Sequence, residues 1–388
     1  MIAYILVIDC VLMKNIESKI RAFGKELGFN QVRITSAKPF LRDEAAAISR
    51  VKNGLMDGLS WYTEERVHRS THPELLLPEA KSIISLGISY FKDSKKQTNN
   101  VPRGKIARYA WGDDYHKVIK RKLKEFSYGL EKTIAKPIRT RIFVDDGPMN
   151  DRAAAARSGL GWFGKNTNIL TQEYGSWVFL SQVITDLELR SDAPLKKNCG
   201  DCVICIDDCP TGAIVAPYVI DNRRCISFLT IELRGSIPRE LRPLIGDWVF
   251  GCDICQEVCP VNRKISSSKE PLFEQKHDFE APSLIPLLAL DDISFQKRFH
   301  NSPIKRTKRI GLQRNVCVAL GNIGDKMALP ALEKTLLSSD KIVREHAAWA
   351  IGKIGGPKSI SILNNALKHE HEPQVTKEIL LSLTDKRS

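Results

Sequence analysis

The sequence lacks an apolar run long enough to cross a bilayer. The stretch at residues 2–13 is interrupted by Asp9 and falls short of the ~20 apolar residues that a transmembrane helix needs. A basic leader with a small-residue cleavage site is also missing, so no secretory signal is expected. These absences argue against a membrane protein and predict a cytoplasmic one. The first 13 residues are expected to be an extra strand or an upstream start.

Acidic residues are in the minority. The 388 residues include 59 Lys and Arg against 45 Asp and Glu, which gives a formal net charge of +14. An excess of this size favours a polyanionic partner such as a nucleic acid. Hydrophobic residues make up 43% of the chain, which excludes collagen-like and wholly disordered proteins. A chain of this length is expected to form two or three globular domains.

A dinucleotide-binding fingerprint is missing as well. Gly159, Gly161 and Gly164 have the G-x-G-x-x-G spacing, but they follow an Ala-rich helical segment. The fingerprint requires a strand before its first glycine, because its tight turn leads from a sheet into a helix. We therefore do not interpret these glycines as a nucleotide site.

The character of the sequence changes twice along the chain. Residues 14–190 alternate helical periodicity with short apolar runs, which predicts an α+β domain. Those runs lie at residues 82–90, 139–144 and 177–185. Eight of the ten cysteines follow between Cys199 and Cys259, which predicts a compact cofactor-binding domain over residues 191–275. Residues 276–388 are predicted to be helical.

An internal repeat of 31 residues marks this C-terminal part. The motif A-L-G-N-I-G at 319–324 returns as A-I-G-K-I-G at 350–355. The flanking residues Leu329, Leu332 and Leu336 correspond in the same register to Ile360, Leu363 and Leu367. Paired apolar helical faces of this kind are typical of HEAT repeats, and a single helical hairpin is the alternative.

A basic segment precedes the repeat. No acidic residue interrupts it, so it suits contacts with nucleic-acid phosphates, and a solvated basic face is the alternative. Its basic residues are Lys297, Arg298, Lys305, Arg306, Lys308, Arg309 and Arg314.

The cysteines form the most specific pattern in the chain. From Cys199 to Cys209 the sequence reads C-x2-C-x2-C-x3-C-P, the spacing of bacterial ferredoxins, in which the fourth thiolate binds the other 4Fe-4S cluster. A second run from Cys252 to Cys259 reads C-x2-C-x3-C-P, and Cys225 can supply its missing ligand. Zinc sites and disulfides also use paired cysteines, but neither explains a three-cysteine run followed by Cys-Pro.

Eight thiolates predict two 4Fe-4S clusters. If the ligands cross over as in two-cluster ferredoxins, the two ligand sets are Cys199, Cys202, Cys205 and Cys259, and Cys209, Cys225, Cys252 and Cys255. Cys10 and Cys317 lie in apolar segments and are expected to be small core residues. Two clusters make a path for electrons, which must end at a centre that performs chemistry.

Three further segments narrow the function. They are R-Y-A-W-G-D-D-Y-H at 108–116, V-D-D-G-P at 144–148 and R-S-G-L-G-W-F-G-K-N-T-N at 157–168. Followed by Y-G-S-W at 174–177 and by the cysteine pattern, they resemble the epoxyqueuosine reductase family. The resemblance extends from about residue 16 to the C-terminal repeat.

The resemblance implies an enzyme that reduces the epoxide of epoxyqueuosine to the alkene of queuosine at the wobble position of a tRNA. A nitroreductase-like N-terminal domain would hold cobalamin, and the two clusters would pass electrons from an external low-potential donor to form cob(I)alamin. Base-off cobalamin is expected, since Ile119 stands where the D-x-H-x-x-G signature of a cobalt-ligating histidine has its glycine. The HEAT-like domain would bind tRNA, and a monomer is expected.

The resemblance places the proton-donating aspartate at Asp145. From the residues alone, an aspartate before Gly147-Pro148 could equally cap a turn, and Asp146 and Asp151 are rival carboxylates. Donation near neutral pH would need a raised pKa at Asp145. Other residues match positions around the cofactor or substrate, although each could instead be structural: Arg69, Arg108, Tyr115, His116, Lys165, Asn168, Ser176 and Ser227.

Two other functions fit parts of the sequence. Reductive dehalogenases combine a similar cobalamin domain with two 4Fe-4S clusters, but they typically carry an export signal and lack the helical repeat. A non-catalytic electron carrier or tRNA-binding scaffold is the second alternative. The helical repeat and the basic segment favour the tRNA enzyme.

Overall fold

The computed structural model describes residues 16–94, 101–134, 137–276 and 278–384. Residues 1–13, expected to be an extra strand or an upstream start, lie outside the described residues, as does Cys10. None of the helices in these ranges is both long and apolar enough to cross a membrane.

Helices and short strands follow one another along the chain. The α-helices are α1 Ile16–Glu26, α2 Leu41–Lys52, α3 Glu64–Thr71, α4 Tyr115–Ile134, α5 Asp151–Arg157, α6 Ile204–Asp207, α7 Ile226–Ile231, α8 Ile254–Glu257, α9 Ile285–Leu288, α10 Asp292–Arg298, α11 Lys308–Ile323, α12 Leu329–Thr335, α13 Lys341–Ile354, α14 Pro357–Leu367 and α15 Pro373–Thr384. The strands are β1 Gln31–Ser36, β2 Ser82–Ser89, β3 Lys105–Ile106, β4 Thr140–Phe143, β5 Trp162–Phe163, β6 Ile169–Leu170, β7 Val178–Thr185, β8 Ile214–Ala216, β9 Val219–Ile220 and β10 Trp248–Phe250.

An antiparallel sheet organises the N-terminal part. Its strand order is β1-β2-β7-β4, and β2, β4 and β7 coincide with the predicted apolar runs. Strand β2 is buried along its whole length, because both faces of the sheet are covered. Helix α4 packs with the sheet through Ile119, Leu123 and Phe126, whose spacing places them on one face. The predicted α+β class is confirmed.

The cysteine-rich part is built on two short helices. Cys205 lies on α6 and Cys255 lies on α8, and the two helices contact each other. The hairpin of β8 and β9 follows the first cysteine run, and α7 begins directly after Cys225. This arrangement brings cysteines that are far apart in sequence to one place.

The C-terminal part consists of stacked helices, as the repeat predicts. The two copies of the motif lie on α11 and α13, and Gly324 and Gly355 end these helices with positive φ angles of 75° and 81°. A Cβ atom at Gly321 would lie 2.7 Å from Trp349, and one at Gly352 would lie 2.5 Å from Ser382. The glycine at equivalent positions of the repeat therefore lets successive helices approach closely.

The helical repeats share an apolar core with the cysteine-rich part. Phe228 and Leu229 of α7, Val249 and Phe250 of β10 and Val316 of α11 belong to one buried cluster. The N-terminal sheet has a core of its own. The domain boundaries predicted at residues 190 and 275 stay a prediction.

Arg314 corrects the interpretation of the basic segment. The residue is only 1% exposed, and its guanidinium donates to the backbone carbonyls of Leu229, Leu233 and Gly235. Burial lowers its pKa to about 9. The phosphate contact suggested for Arg314 is therefore wrong. Its guanidinium binds backbone carbonyls of the cysteine-rich part and so connects α11 to that part. Cys317 is fully buried, as predicted.

Candidate cluster and proton-donor site

Four thiols line one cavity. They belong to Cys199, Cys202, Cys205 and Cys259, the first of the two predicted ligand sets, and the rest of the wall includes Lys165. Burial, together with the neighbouring Cys259, Cys199 and Cys202, raises the pKa of Cys205 to about 11. Iron or another soft metal must displace protons from such thiols, because only thiolates bind it.

The other four thiols form a second, more buried group. Burial raises the pKa values of Cys252 and Cys255, and Cys225 raises both further. Cys209 lies close enough to raise the pKa values of Cys225 and Cys255. Two sets of four thiols are the donor sets that a pair of 4Fe-4S clusters requires.

The two thiol groups are neighbours. Cys205 of the first group raises the pKa of Cys255 in the second. Cys202 is exposed to solvent, whereas Cys255 is only partly exposed. The first group thus lies at the surface and the second lies deeper.

The loop between β5 and β6 holds both cysteine segments. Lys165 Nζ donates to the carbonyl of Gly200 at 2.7 Å, and Asn166 Nδ2 donates to the carbonyl of Cys255 at 3.0 Å. Asn168 Nδ2 lies 3.9 Å from the Sγ atom of Cys255. Lys165 and Asn168, both predicted as cofactor contacts, therefore touch the thiol segments.

Ser176 and Ser227 are also placed beside the cysteines. Ser176 Oγ donates to Gln256 at 2.9 Å and accepts from Asn262 Nδ2 at 2.8 Å. The hydroxyl of Ser227 and the backbone N–H groups at the start of α7 offset the burial that raises the pKa of Cys225. Both serines are engaged with the cysteine-rich segment.

Arg108 is enclosed by protein. Its guanidinium lies over the rings of Phe91, Trp111 and Trp177 at 4.7 to 5.1 Å, and its Nε atom donates to the carbonyl of Lys92. Its backbone N–H donates to Asp253 at 2.7 Å. Burial raises the pKa of Asp253 to about 7, although Arg108 opposes the rise. In this structure Arg108 joins the N-terminal part to the second cysteine run.

Asp145 follows strand β4 in a left-handed conformation. Its φ angle is 54°, which is uncommon for a residue with a side chain, and its carboxylate is exposed. Tyr115 Oη donates to the Oδ2 atom of Asp145 at 2.6 Å. The Tyr115 ring is fixed in turn by stacking on Phe179, with centroids 4.1 Å apart, so the hydroxyl holds the carboxylate in one direction.

The neighbouring elements hold the loop that carries Asp145. Arg66 of α3 donates to the carbonyl of Gly147 at 2.7 Å, and Asn150 N–H donates to the carbonyl of Ser70 at 3.1 Å. Lys120 forms an ion pair with Asp146. Helices α3 and α4 therefore support the loop from two sides.

Asp151 is the other carboxylate at this point of the chain. One of its carboxylate oxygens is buried and has no hydrogen-bond partner among the described residues. Burial and the charge of Asp145 raise the pKa of Asp151, and the backbone of Asp145 partly offsets this. Gln182 Nε2 donates to its carbonyl at 3.2 Å.

Arg306 brings the basic segment to Asp145. Burial disfavours its charge, yet its ion pair with Glu232 and the nearby Asp145 and Tyr109 raise its pKa. Burial of Tyr109 and the charges of Asp145, Glu232 and Asp253 raise the pKa of its phenol. Tyr109 thus lies among groups from all three parts of the chain.

Two predicted residues lie at the margin of this arrangement. Arg69 is exposed on α3, and its side chain forms no hydrogen bond or ion pair with the residues that the structure describes. His116 Nδ1 lies 2.8 Å from Asp114, and its ring stacks on Tyr115.

The sequence motifs contained Tyr109, but nothing in the sequence indicated that Tyr109 or Asp253 would lie at the site. Their partners are too distant along the chain to be inferred from a local pattern.

Family models match all three parts of the chain. "Epoxyqueuosine reductase QueG, DUF1730" matches residues 70–146, "4Fe-4S double cluster binding domain" matches residues 198–262 and "HEAT repeats" matches residues 306–384. The predicted 4Fe-4S domain and helical repeats are therefore confirmed.

Several proteins that are similar to most of this chain are epoxyqueuosine reductases. The epoxyqueuosine reductase of Cellulophaga algicola is 42% identical over 76% of this chain and 95% of its own length. That of Bacillus subtilis is 37% identical over 94% of both chains. That of Escherichia coli is 39% identical over 88% of this chain and 90% of its own length.

Solved structures match the fold closely. A crystal structure of an epoxyqueuosine reductase has a TM-score of 0.90 at 35% identity and covers 96% of this chain and 99% of that one. Another, with an epoxyqueuosine-modified tRNA-Tyr stem loop, has a TM-score of 0.89 at 35% identity and covers 96% and 98%. In a third, from Bacillus subtilis and with a TM-score of 0.89, a catalytic loop with an aspartate is swung out of the active site. The sequence motifs, the two thiol groups and these similarities together show that the chain belongs to the epoxyqueuosine reductase family.

Proposed function

We propose that this protein reduces epoxyqueuosine to queuosine at the wobble position of tRNA. The observation that carries the proposal is the position of Tyr109, whose ring lies 6.0 Å from that of Tyr115, the hydrogen-bond partner of Asp145. The adjacent Arg108 donates its backbone N–H to Asp253 in the second cysteine run, and the charge of Arg306 acts on the Tyr109 phenol. A carboxylate, a route for electrons and a basic contact for RNA therefore meet in one region. Family membership favours this function over a reductive dehalogenase or a non-catalytic electron carrier.

The reaction defines what the site must supply. Conversion of an epoxide to an alkene consumes two electrons and two protons and releases the oxygen as water. Each 4Fe-4S cluster carries one electron, and such clusters reach potentials of about −400 mV or lower. The exposed thiol group around Cys202 would receive electrons from an external low-potential donor, and the buried group around Cys255 would pass them inward.

Cobalamin would bind between the buried thiol group and Asp145. When bound, it supplies a strongly reducing cobalt centre that takes up electrons singly. Tyr115, Asn168 and Ser227 offer hydroxyl and amide groups, which suit the amide side chains at the rim of a corrin. A base-off cofactor without a histidine ligand remains proposed from Ile119, which stands in place of the glycine of the D-x-H-x-x-G signature. Arg69, Arg108, Lys165 and Ser176 remain proposed contacts.

Asp145 would hold the proton that goes to the departing epoxide oxygen. Its exposed carboxylate can reach a bound substrate, and the Tyr115 hydroxyl fixes its direction. General acid catalysis by a positioned carboxyl group contributes about 10²- to 10⁴-fold to a rate. The loss of that contribution is measurable in a variant that keeps its cofactors.

tRNA would approach along the basic segment. Lys305 and Lys308 are exposed and form no ion pair with the described residues. Arg306 lies between them in the sequence, pairs with Glu232 and interacts electrostatically with Asp145. Phosphate contacts at these positions would place the anticodon loop over the candidate site. The protein is proposed to work as a monomer.

The decisive experiment compares Asp145→Asn with wild-type protein. Both are loaded anaerobically with iron, sulfide and cobalamin, and given a low-potential reductant and epoxyqueuosine-containing tRNA. Nucleoside mass analysis should show queuosine with wild type and a rate lowered by about 10²-fold or more with Asp145→Asn. Asp325→Asn, altered at a partly exposed carboxylate in the helical repeat, is the matched control and should keep most of its activity.

Two results would overturn the proposal. Full turnover by Asp145→Asn with unchanged iron and cobalamin content would remove Asp145 as the proton donor. A fully loaded wild-type protein that produces no queuosine would remove the reaction itself.

A further inference from the structure

Two histidines and a glutamate meet on the N-terminal part, in a set that the proposed reaction does not use. Glu44 lies on α2, His68 lies on α3 and His72 follows the last residue of α3. His68 and His72 are four residues apart, so the helix places them on one face. Glu44 reaches the same face from the neighbouring helix.

The potential ligand atoms of these residues converge. Glu44 Oε1 lies 2.8 Å from His68 Nδ1 and 3.8 Å from His72 Nδ1. The two imidazole rings are 4.1 Å apart, and one ligand atom from each of the three residues lies within 4.8 Å of the others. Two ligands of one zinc ion lie at most about 4.4 Å apart, so small rotations of these side chains would let the three atoms share a single ion.

The hydrogen bonds of the imidazoles leave nitrogen atoms free for a metal. His72 Nδ1 lies 3.0 Å from the carbonyl of His68, and a protonated Nδ1 that donates there exposes the lone pair of Nε2. Metal-bound histidines commonly donate their other ring nitrogen to a carbonyl or carboxylate in this way. Glu44 can either bind the ion or accept from His68 in the same role.

We propose that Glu44, His68 and His72 bind one divalent transition-metal ion of the zinc class. Imidazole and carboxylate groups are the donors that zinc prefers besides thiolates. The side chains of Glu44 and His72 are 14% exposed and that of His68 is 56% exposed. Surrounding residues therefore enclose Glu44 and His72, while the His68 side of the site is open to solvent. Water can complete the coordination from that side.

The position of the site gives the ion a structural consequence. Helix α3 carries His68 and also supports the Asp145 loop through Arg66 and Ser70. A metal that ties α3 to α2 would hold this support in place. The proposal does not depend on the reaction, since metal binding is measured without substrate.

The test uses protein with both clusters assembled anaerobically, so that the eight cluster thiols are occupied. Zn²⁺ binding is measured by equilibrium dialysis and calorimetry on wild type, His68→Ala and His72→Ala. We expect one zinc ion per wild-type chain and at least a tenfold loss of affinity in each variant. The iron content must remain constant, which separates this site from displacement of the clusters.

Matched variants separate a built site from ordinary surface histidines. His369→Ala combined with His371→Ala removes two exposed histidines elsewhere and should leave zinc binding unchanged. Glu44→Gln should weaken binding about 10- to 100-fold, as loss of an orienting or ligating carboxylate does. Zinc binding that is absent in wild type, or equal in wild type and both single histidine variants, would overturn the proposal.

Discussion

Asp151 shows how one residue can set the pH response of the site. Its carboxyl group is buried beside Asp145, and this burial raises its pKa. The folded protein therefore retains a proton that the unfolded chain releases above the ordinary carboxyl pKa of about 4. Since the unfolded state binds fewer protons in this range, stability falls as the pH rises from about 4 toward the raised pKa.

Replacement of Asp151 by Asn should remove this dependence. The variant has no proton to retain, so its thermal midpoint at pH 8 should exceed that of wild type, while the two should be closer at pH 5. The slope attributable to Asp151 reaches at most about 1.4 kcal/mol per pH unit. Anaerobic thermal unfolding of cluster-loaded protein measures it, with the partly exposed Asp325→Asn as control. Parallel pH profiles for wild type and Asp151→Asn would contradict the assignment.

At the scale of residues, the sequence predicted those functional side chains that stand in a recognisable local motif. The cysteine spacings predicted both thiol sets, and the position of Asp145 after an apolar run predicted a carboxylate at a strand end. Asp253 had no such signature, because it meets Arg108 only through the tertiary fold. Arg306 was predicted as a phosphate contact, but its electrostatic interaction with Asp145 also depends on the fold. Arg314 shows the reverse, since its charge suggested the surface although its backbone partners lie in the interior.

At the scale of elements, α3 determines where Asp145 lies. Arg66 is its side-chain link to the loop, through the carbonyl of Gly147. Arg66→Ala should leave Asp145 and the clusters intact but allow the loop to leave its position. A displacement of about 1 Å can lower a rate about 100-fold, so we expect kcat to fall by about 10- to 100-fold.

Single-turnover kinetics on cluster-loaded Arg66→Ala would measure this effect. Arg42→Ala, which alters an exposed arginine on α2, is the control and should behave like wild type. An unchanged kcat in Arg66→Ala would show that the contact does not position Asp145.

The helical repeat depends on glycine at its closest crossings. An added methyl group at Gly321 would lie 2.7 Å from the Trp349 ring and 2.9 Å from the Cα atom of Ala350. Gly321→Ala should therefore separate α11 from α13 and destabilise the protein by about 1–3 kcal/mol, as overpacking does. Gly235→Ala, where no atom lies within 4 Å of the added carbon, serves as control in thermal unfolding. Equal midpoints for the two variants would contradict this account.

The elements themselves followed from the sequence to a large extent. The strands β2, β4 and β7 and the paired helices of the repeat were predicted, because periodicity and burial coincide there. Strand pairing was not predicted, since the order β1-β2-β7-β4 brings together segments that are far apart in the chain. The contact between α6 and α8 likewise depends on the assembled fold.

At the scale of the whole molecule, charge should govern the approach of tRNA. Lys305→Ala combined with Lys308→Ala removes two exposed cations and should weaken tRNA binding while both clusters remain. The slope of log affinity against log salt should fall by up to about one for each lost phosphate contact.

Binding measured over a range of salt concentrations tests this expectation. Lys353→Ala combined with Lys368→Ala removes the same charge from exposed positions elsewhere and is the control. An equal loss of affinity in both double variants would mean that net charge, and not this segment, attracts the RNA.

The apolar core shared by the repeats and the cysteine-rich part has a consequence for how the chain can be divided. Phe250 and Leu229 pack in the same cluster as Val316 and Leu320. A truncation that ends before α11 would leave the first two side chains facing water, and the iron-binding segment would lose part of its own interior. We therefore regard the C-terminal helices as a structural part of the cysteine-rich domain. They cannot be removed as an independent RNA-binding domain.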